Sequence, residues 1–224
     1  MAAGHDHQAN LKVLSNAINS AGVRSFDDAD DPGSSNAALA LFKIAAELGS
    51  VDARFNVACC YFNGRGATVR PESGIKWATV AARLDQLDAL YVLGMCYYLG
   101  HGTGNDLGKE EREAVQLERD HANAVAYLKR AARRRHPAAQ NLLGHCYRLG
   151  HGVKQDTKKA FKCFQKAAAQ GNMDAEFNLA SSYYHGVGTS KSLDDAELWC
   201  QRAARHGHKD AEESLMALTG REHH

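Results

Sequence analysis

The chain has 224 residues, with 27 Lys and Arg against 26 Asp and Glu, a net charge of +1. That balance supplies no overall field for holding a phosphate backbone, so no nucleic-acid partner is expected. No run reaches the roughly 18 apolar residues of a membrane span, and the first residues lack the apolar centre of a secretory signal, so no membrane insertion is expected either.

In chain order, residues 1–33 read as a helix over Gln8–Ala21 followed by an acidic linker, Asp27–Pro32. Ser34–Gly49 (SSNAALALFKIAAELG) reads as the second helix of an incomplete unit and ends near the pair Ala45-Ala46. From Ala53 the chain repeats itself. ARFNVACCYFNGRG (53–66), ALYVLGMCYYLGHG (89–102), AQNLLGHCYRLGHG (139–152) and AEFNLASSYYHGVG (175–188) are four copies of one motif, each followed by a segment that closes on two alanines. Their starts are 36, 50 and 36 residues apart, giving full repeats at 53–88, 89–138, 139–174 and 175–209. The long second unit carries an insertion at 107–120 (LGKEEREAVQLERD), charged and rich in helix formers, which either lengthens the next helix or adds a projecting turn. Asp210–Leu218 reads as a first helix that never reaches its Gly-x-Gly, and 220–224 is a tail. A self-similar period of this length marks stacked two-helix units, none of which can bury its own apolar face. The expected fold is all-α, an α/α solenoid of about four full repeats over residues 34–219 with partial units capping its ends.

Within a unit, Ala53, Val57, Cys60 and Tyr61 recur at i, i+4, i+7 and i+8, as do Ala89, Leu93, Cys96 and Tyr97, the stripe of a helix with one buried side. The adjoining column holds Ala58, Gly94, Gly144 and Ala180, small enough for close helix approach. Trp77, Tyr127, Cys163 and Trp199, four residues before the closing alanine pair, are expected to fill the space opposite. Asp156 and Asp194 are placed to cap the second helices of their units. The paired glycines stop each first helix.

This periodicity absorbs most chemistry-bearing residues. Cys60, Cys96 and Cys146 share a column with Ser182, which suits structural thiols in a reducing compartment better than disulfides or metal ligands. His101 and His151 share another column, and no spacing typical of a metal site appears, so no metal or cofactor is expected. The Gly-x-Gly loops end helices and precede no Gly-Lys-Ser/Thr, so they are not phosphate cradles. Lys129–His136 (KRAARRRH) reads either as a helix end whose cations suit the dipole or as a patch for an acidic partner or nuclear import.

With A-x-x-x-[LV]-[GA]-x-x-Y-x-x-G-x-G, a loop, A-x-x-[WYF] and a closing Ala-Ala, residues 34–219 resemble the Sel1-like repeat family, relatives of the tetratricopeptide repeat. The resemblance implies a right-handed superhelical adaptor without a defining catalytic motif. It also implies cytoplasmic rather than extracellular placement, because the chain lacks the cysteine arrangement of disulfide-bearing members.

First-helix positions outside the buried stripe line up when units stack and are expected to form a concave strip. The strip takes in Phe55, Asn56 and Phe62; Tyr91, Met95 and Tyr98; Asn141, His145 and Arg148; and Phe177, Asn178 and Tyr184. Aromatic and Arg side chains dominate binding hot spots, and Asn offers both a donor and an acceptor to a peptide backbone. Packing on neighbouring helices is the competing role for the aromatics. The related tetratricopeptide adaptors imply that Asn56, Asn178 and Arg148 could clamp an extended peptide. The expected function is a non-enzymatic scaffold for a protein or peptide partner. The alternatives are a hydrolase with a groove site near His145 and Arg148, or a structural subunit of a larger complex.

Overall fold

The helix ends are written at fixed distances from the motif alanine. Ser50, Gln86, His136 and Asn172 each stand three residues before it, and each accepts the N–H of that alanine with a side-chain atom: Ser50 Oγ from Ala53 at 3.2 Å, Gln86 Oε1 from Ala89 at 2.6 Å, His136 Nδ1 from Ala139 at 3.1 Å and Asn172 Oδ1 from Ala175 at 2.9 Å. One orphan donor per helix is thereby satisfied. At the other end, Gly64, Gly100, Gly150 and Gly186 take φ of 71, 76, 78 and 70°, the left-handed conformation that closes a helix.

The computed structural model describes residues 2–27, 32–100 and 120–219, which form eleven α-helices and no strand. They group into two compact units, divided between Arg119 and Asp120. The first holds α1 (Ala2–Asp27), α2 (Pro32–Glu47), α3 (Val51–Asn63), α4 (Pro71–Arg83) and α5 (Leu87–Leu99). The second holds α6 (His121–Arg133), α7 (Pro137–Leu149), α8 (Thr157–Ala168), α9 (Met173–His185), α10 (Leu193–Arg205) and α11 (Lys209–Thr219). Within each unit every helix packs on its neighbours in sequence.

Most of the expected stripe is buried: Ala53, Val57, Cys60, Ala89, Leu93 and Cys96 fully, Tyr61 and Tyr97 only in part. The buried position of the second helix lies one place later than expected, and it holds a large side chain only at Leu128 and Phe164. Ala78, Leu128, Phe164 and Cys200 are the buried positions, whereas Trp77, Tyr127, Cys163 and Trp199 are only partly covered. At Gly144 the partner is accordingly Phe164, not Cys163. A methyl group there would sit 2.5 Å from Phe164 Cε1. Phe42 lies against Gly22 in the same way, at 2.6 Å, in the matching register of α1 and α2. Helix α1 is therefore the first helix of the unit that reads as incomplete in the sequence, and it runs well beyond Gln8–Ala21 at both ends.

Asp156 caps α8 by accepting the Lys159 N–H at 2.9 Å. Asp194 does not cap α10: Ser192 does, accepting from Asp195 N–H at 3.2 Å, and Asp194 lies inside the first turn where its charge suits the dipole. In the three described loops the second glycine has a different task from the first, while Gly102 lies outside the described residues. A side chain on Gly66, Gly152 or Gly188 would run into the carbonyl of Ser35, His121 or Thr157, so these glycines are where one repeat seats on the preceding one. Asp120 caps α6, accepting from Asn123 N–H at 2.9 Å. The rest of the insertion at 107–120, His101, the middle of the acidic linker (28–31) and the tail at 220–224 lie outside the described residues. All six cysteines are free thiols. Burial pushes Cys59 up to about 12, and Cys60 and Cys146 up to about 11, so these are packing groups and poor nucleophiles.

Candidate functional site

The strip residues separate into those spent on packing and those joined in polar networks. In the first unit, Phe62 is 4 % exposed and lies over Gly74, so it is a core residue and not part of a binding surface. The missing side chain at Gly74 leaves a hole that the ring fills, and the ring faces α4 for that reason. Phe55, Tyr91, Met95 and Tyr98 are half-buried, with the Tyr91 hydroxyl 3.7 Å from Met95 Sδ. Asn56 donates through Nδ2 to Asn19 Oδ1 at 2.9 Å, tying α3 to α1.

The second unit repeats that tie and elaborates it. Asn178 on α9 reaches Asn141 on α7, with 3.0 Å between Nδ2 and Oδ1, and the same amide lies 3.1 Å from His145 Nε2. Arg148 Nη2 is 2.9 Å from His145 Nδ1. A guanidinium only donates, so Nδ1 accepts, the ring is neutral and its proton sits on Nε2. Asn178 must then turn its oxygen toward Nε2, with Asn141 turning in step, because amide nitrogen and oxygen exchange places by a half-turn. The ring's titration agrees: burial first, then the Arg148 charge, push His145 down to about 4, against a weaker upward pull from Asp174. An edge-on contact with Phe164 at 5.4 Å fixes the ring plane. Arg148 Nε is buried and has no hydrogen-bond partner among the described residues.

Phe177 and Tyr184 flank this network on α9, and both carry partners. His208 stacks on Phe177 at 4.4 Å, and Lys191 stands 5.5 Å over the Tyr184 ring. Four of the twelve strip residues, Asn141, His145, Arg148 and Asn178, thus converge in one place.

One buried cluster has no signal in the repeat pattern. Glu176 on α9 is completely buried; His206 Nδ1 lies 2.7 Å from Oε2, and Arg202 Nη2 lies 3.3 Å from Oε1 as an ion pair without a directed hydrogen bond. Its column holds Arg54, Leu90 and Gln140, a mixture that follows no rule of size or polarity. The rule lies in the pairing: Gln140 accepts from Gln170 at 2.8 Å, and Gln170 stands as far beyond Gln140 as His206 stands beyond Glu176. Among the described residues no group of three or more His, Cys, Asp or Glu could hold a metal, and no helix is long and apolar enough to cross a membrane.

The chain matches the Sel1 repeat family over residues 27–50, 51–86, 87–117, 105–136, 137–172 and 174–208. Two of these matches overlap across the insertion. Among solved structures it is similar to a Sel1 repeat protein from Oxalobacter formigenes, with 26 % identity and a TM-score of 0.78 over 91 % of this chain and 78 % of the other. It is also similar to a putative Sel1 repeat protein from Klebsiella pneumoniae, with 19 % identity and a TM-score of 0.53 over 92 % and 93 % of the two chains. A third similar structure is the immunity protein Pa5087 from Pseudomonas aeruginosa, with 19 % identity and a TM-score of 0.56 over 88 % and 68 %. A comparison with curated protein sequences returned no match.

Proposed function

Because the chain belongs to the Sel1 repeat family, whose members generally serve as interaction scaffolds, we propose that it is a non-enzymatic scaffold that holds an extended peptide against α7 and α9. Asn141, His145, Arg148 and Asn178 would be the polar contacts, with Phe177 and Tyr184 as apolar flanks. The observation that carries this reading is Arg148. His145 fixes one arm of its guanidinium, while Nε stays buried without an acceptor. A buried donor left unpaired costs about 1–3 kcal/mol, and a peptide carbonyl or carboxylate would relieve that cost. The Asn178–Asn141 amides add a donor and an acceptor at the spacing of adjacent first helices.

A hydrolase would need a nucleophile or an acid–base partner beside His145. Both of its ring nitrogens are instead engaged by Arg148 and Asn178. A random-peptide display library panned against the full chain tests the scaffold reading. Peptides selected on the wild type should bind at least tenfold more weakly to Arg148→Ala with Asn178→Ala, a loss of about 1.4 kcal/mol or more, while circular dichroism shows the fold intact. Equal affinity for both proteins would remove this site from consideration.

A further inference from the structure

The near-neutral charge of the whole chain hides a sharp segregation. Residues 121–173 carry eleven Lys and Arg and a single acid, Asp156, while the net charge of the chain is +1. That stretch contains α6, α7 and α8, and both α6 and α8 pack on α7. The cations therefore collect on the outward sides of α6, α8 and their connecting turns. Arg133, Arg135, Lys154, Lys158, Lys162 and Lys166 are all exposed. Lys158, Lys162 and Lys166 follow each other at i, i+4 and i+8 along one face of α8, about 6 Å of rise per step. Asp156 does not neutralise them: it caps α8 and pairs with Lys159 at 3.1 Å. Arg130 and Arg134 have interactions of their own, and the surface does not depend on them.

We propose that this face of the second unit binds the phosphate backbone of duplex nucleic acid without reading its sequence. What accompanies the charge decides between the possible partners. Protein interfaces have an apolar centre with aromatic anchors and are depleted of Lys, and membrane-surface helices carry Leu, Phe or Trp beside their cations. Neither α6 nor α8 exposes a large hydrophobic residue. Single strands are gripped by stacking on exposed aromatic rings, but Phe164 is buried and Phe161 is packed edge-on against Tyr183 at 5.3 Å. Beside the cations, α6 and α8 expose Ala122, Asn123, Ala126 and Gln165, and the turns flanking α8 expose Gln155 and Gln170; the exposed Leu149 and Met173 lie on α7 and α9. Lys and Arg interspersed with amide side chains are the groups that contact phosphate and sugar. The expectation of no nucleic-acid partner follows from the average charge. The local field is a different quantity, because exposed charges are screened beyond roughly 8–10 Å; the two acids that bound the stretch have other partners, Asp120 capping α6 and Asp174 lying 3.7 Å from His208.

The test is fluorescence anisotropy of the full chain with a labelled 20-base-pair duplex of scrambled sequence, at several salt concentrations from about 50 to 200 mM. Binding should be indifferent to sequence and fall steeply with salt. Lys158→Gln with Lys162→Gln and Lys166→Gln should weaken binding at least tenfold and flatten the log–log salt slope by about 2–3, near 0.9 for each phosphate left unneutralised. Lys76→Gln with Arg83→Gln, two exposed cations on α4, should leave it unchanged. Three results would each overturn the proposal: no duplex binding at the lowest salt, an equal loss in the α4 variant, or tighter binding to polyglutamate or phosphatidylserine vesicles than to the duplex.

Discussion

The role given to the second glycine of these loops makes a quantitative prediction. Gly152 and Gly171 both lie in the second unit and adopt nearly the same left-handed backbone, with φ of 68 and 77°. A side chain on Gly171 would meet nothing within 4 Å, whereas one on Gly152 would strike the His121 carbonyl. Gly171→Ala therefore meets only the conformational cost of a positive φ, about 1 kcal/mol. Gly152→Ala meets the same cost and must also push α6 away from its seat, adding about 1–3 kcal/mol as overpacked sites do. For a chain of this size each kcal/mol lowers Tm by about 2–4 °C, so Gly171→Ala should lose a few degrees and Gly152→Ala roughly 4–16 °C. Thermal unfolding followed by far-ultraviolet circular dichroism, with urea unfolding to confirm a shared slope, measures both. Equal destabilisation of the two variants, within about 0.5 kcal/mol, would mean that the loop glycine is there for its backbone angle alone and that the seat on His121 contributes nothing.

The buried carboxylate and the neutral histidine give two further outcomes. Glu176→Gln should cost less than about 1 kcal/mol, because Gln140 already occupies the equivalent position with an amide partner; Arg202→Ala with His206→Ala should cost about 3 kcal/mol, since it leaves a carboxylate buried without compensation, and urea unfolding separates the two. His145 titrates near 4 in the fold and near 6.5 when unfolded, so the unfolded chain takes up the proton first and stability falls as pH drops from about 6.5 to 4. Discounted for its partial exposure, that loss is at most about 2 kcal/mol. It should be absent from His145→Gln, as urea midpoints measured across that pH range will show.

The repeat architecture is legible because it rests on side-chain size, which recurs at fixed positions. Ala53, Ala89, Ala139 and Ala175 announce buried contacts as plainly in the sequence as in the structure. Two features escape for the same physical reason: they are complementary between columns and not constant within one. Phe62 reads as a surface aromatic beside Tyr98 and Tyr184. Its burial depends on Gly74, a residue on the next helix whose column elsewhere carries a side chain. Glu176 reads as one polar residue among Arg54, Leu90 and Gln140. Its burial depends on His206 and Arg202, far along the chain. The strip is legible as a set of positions, but which of its members converge is decided by a single choice, Asn at position 141 where the other copies place Phe or Tyr. An aromatic ring at that position could not exchange amide hydrogen bonds with Asn178, whose own oxygen accepts the His145 Nε2 proton. The network is thus a departure from the repeat, and a consensus reading of the columns averages such departures away. The same holds for charge: the total of +1 hides a stretch, 121–173, with eleven Lys and Arg against one acid, offset by an acidic excess in the rest of the chain. Both binding surfaces proposed above accordingly rest on positions and segments that break the average.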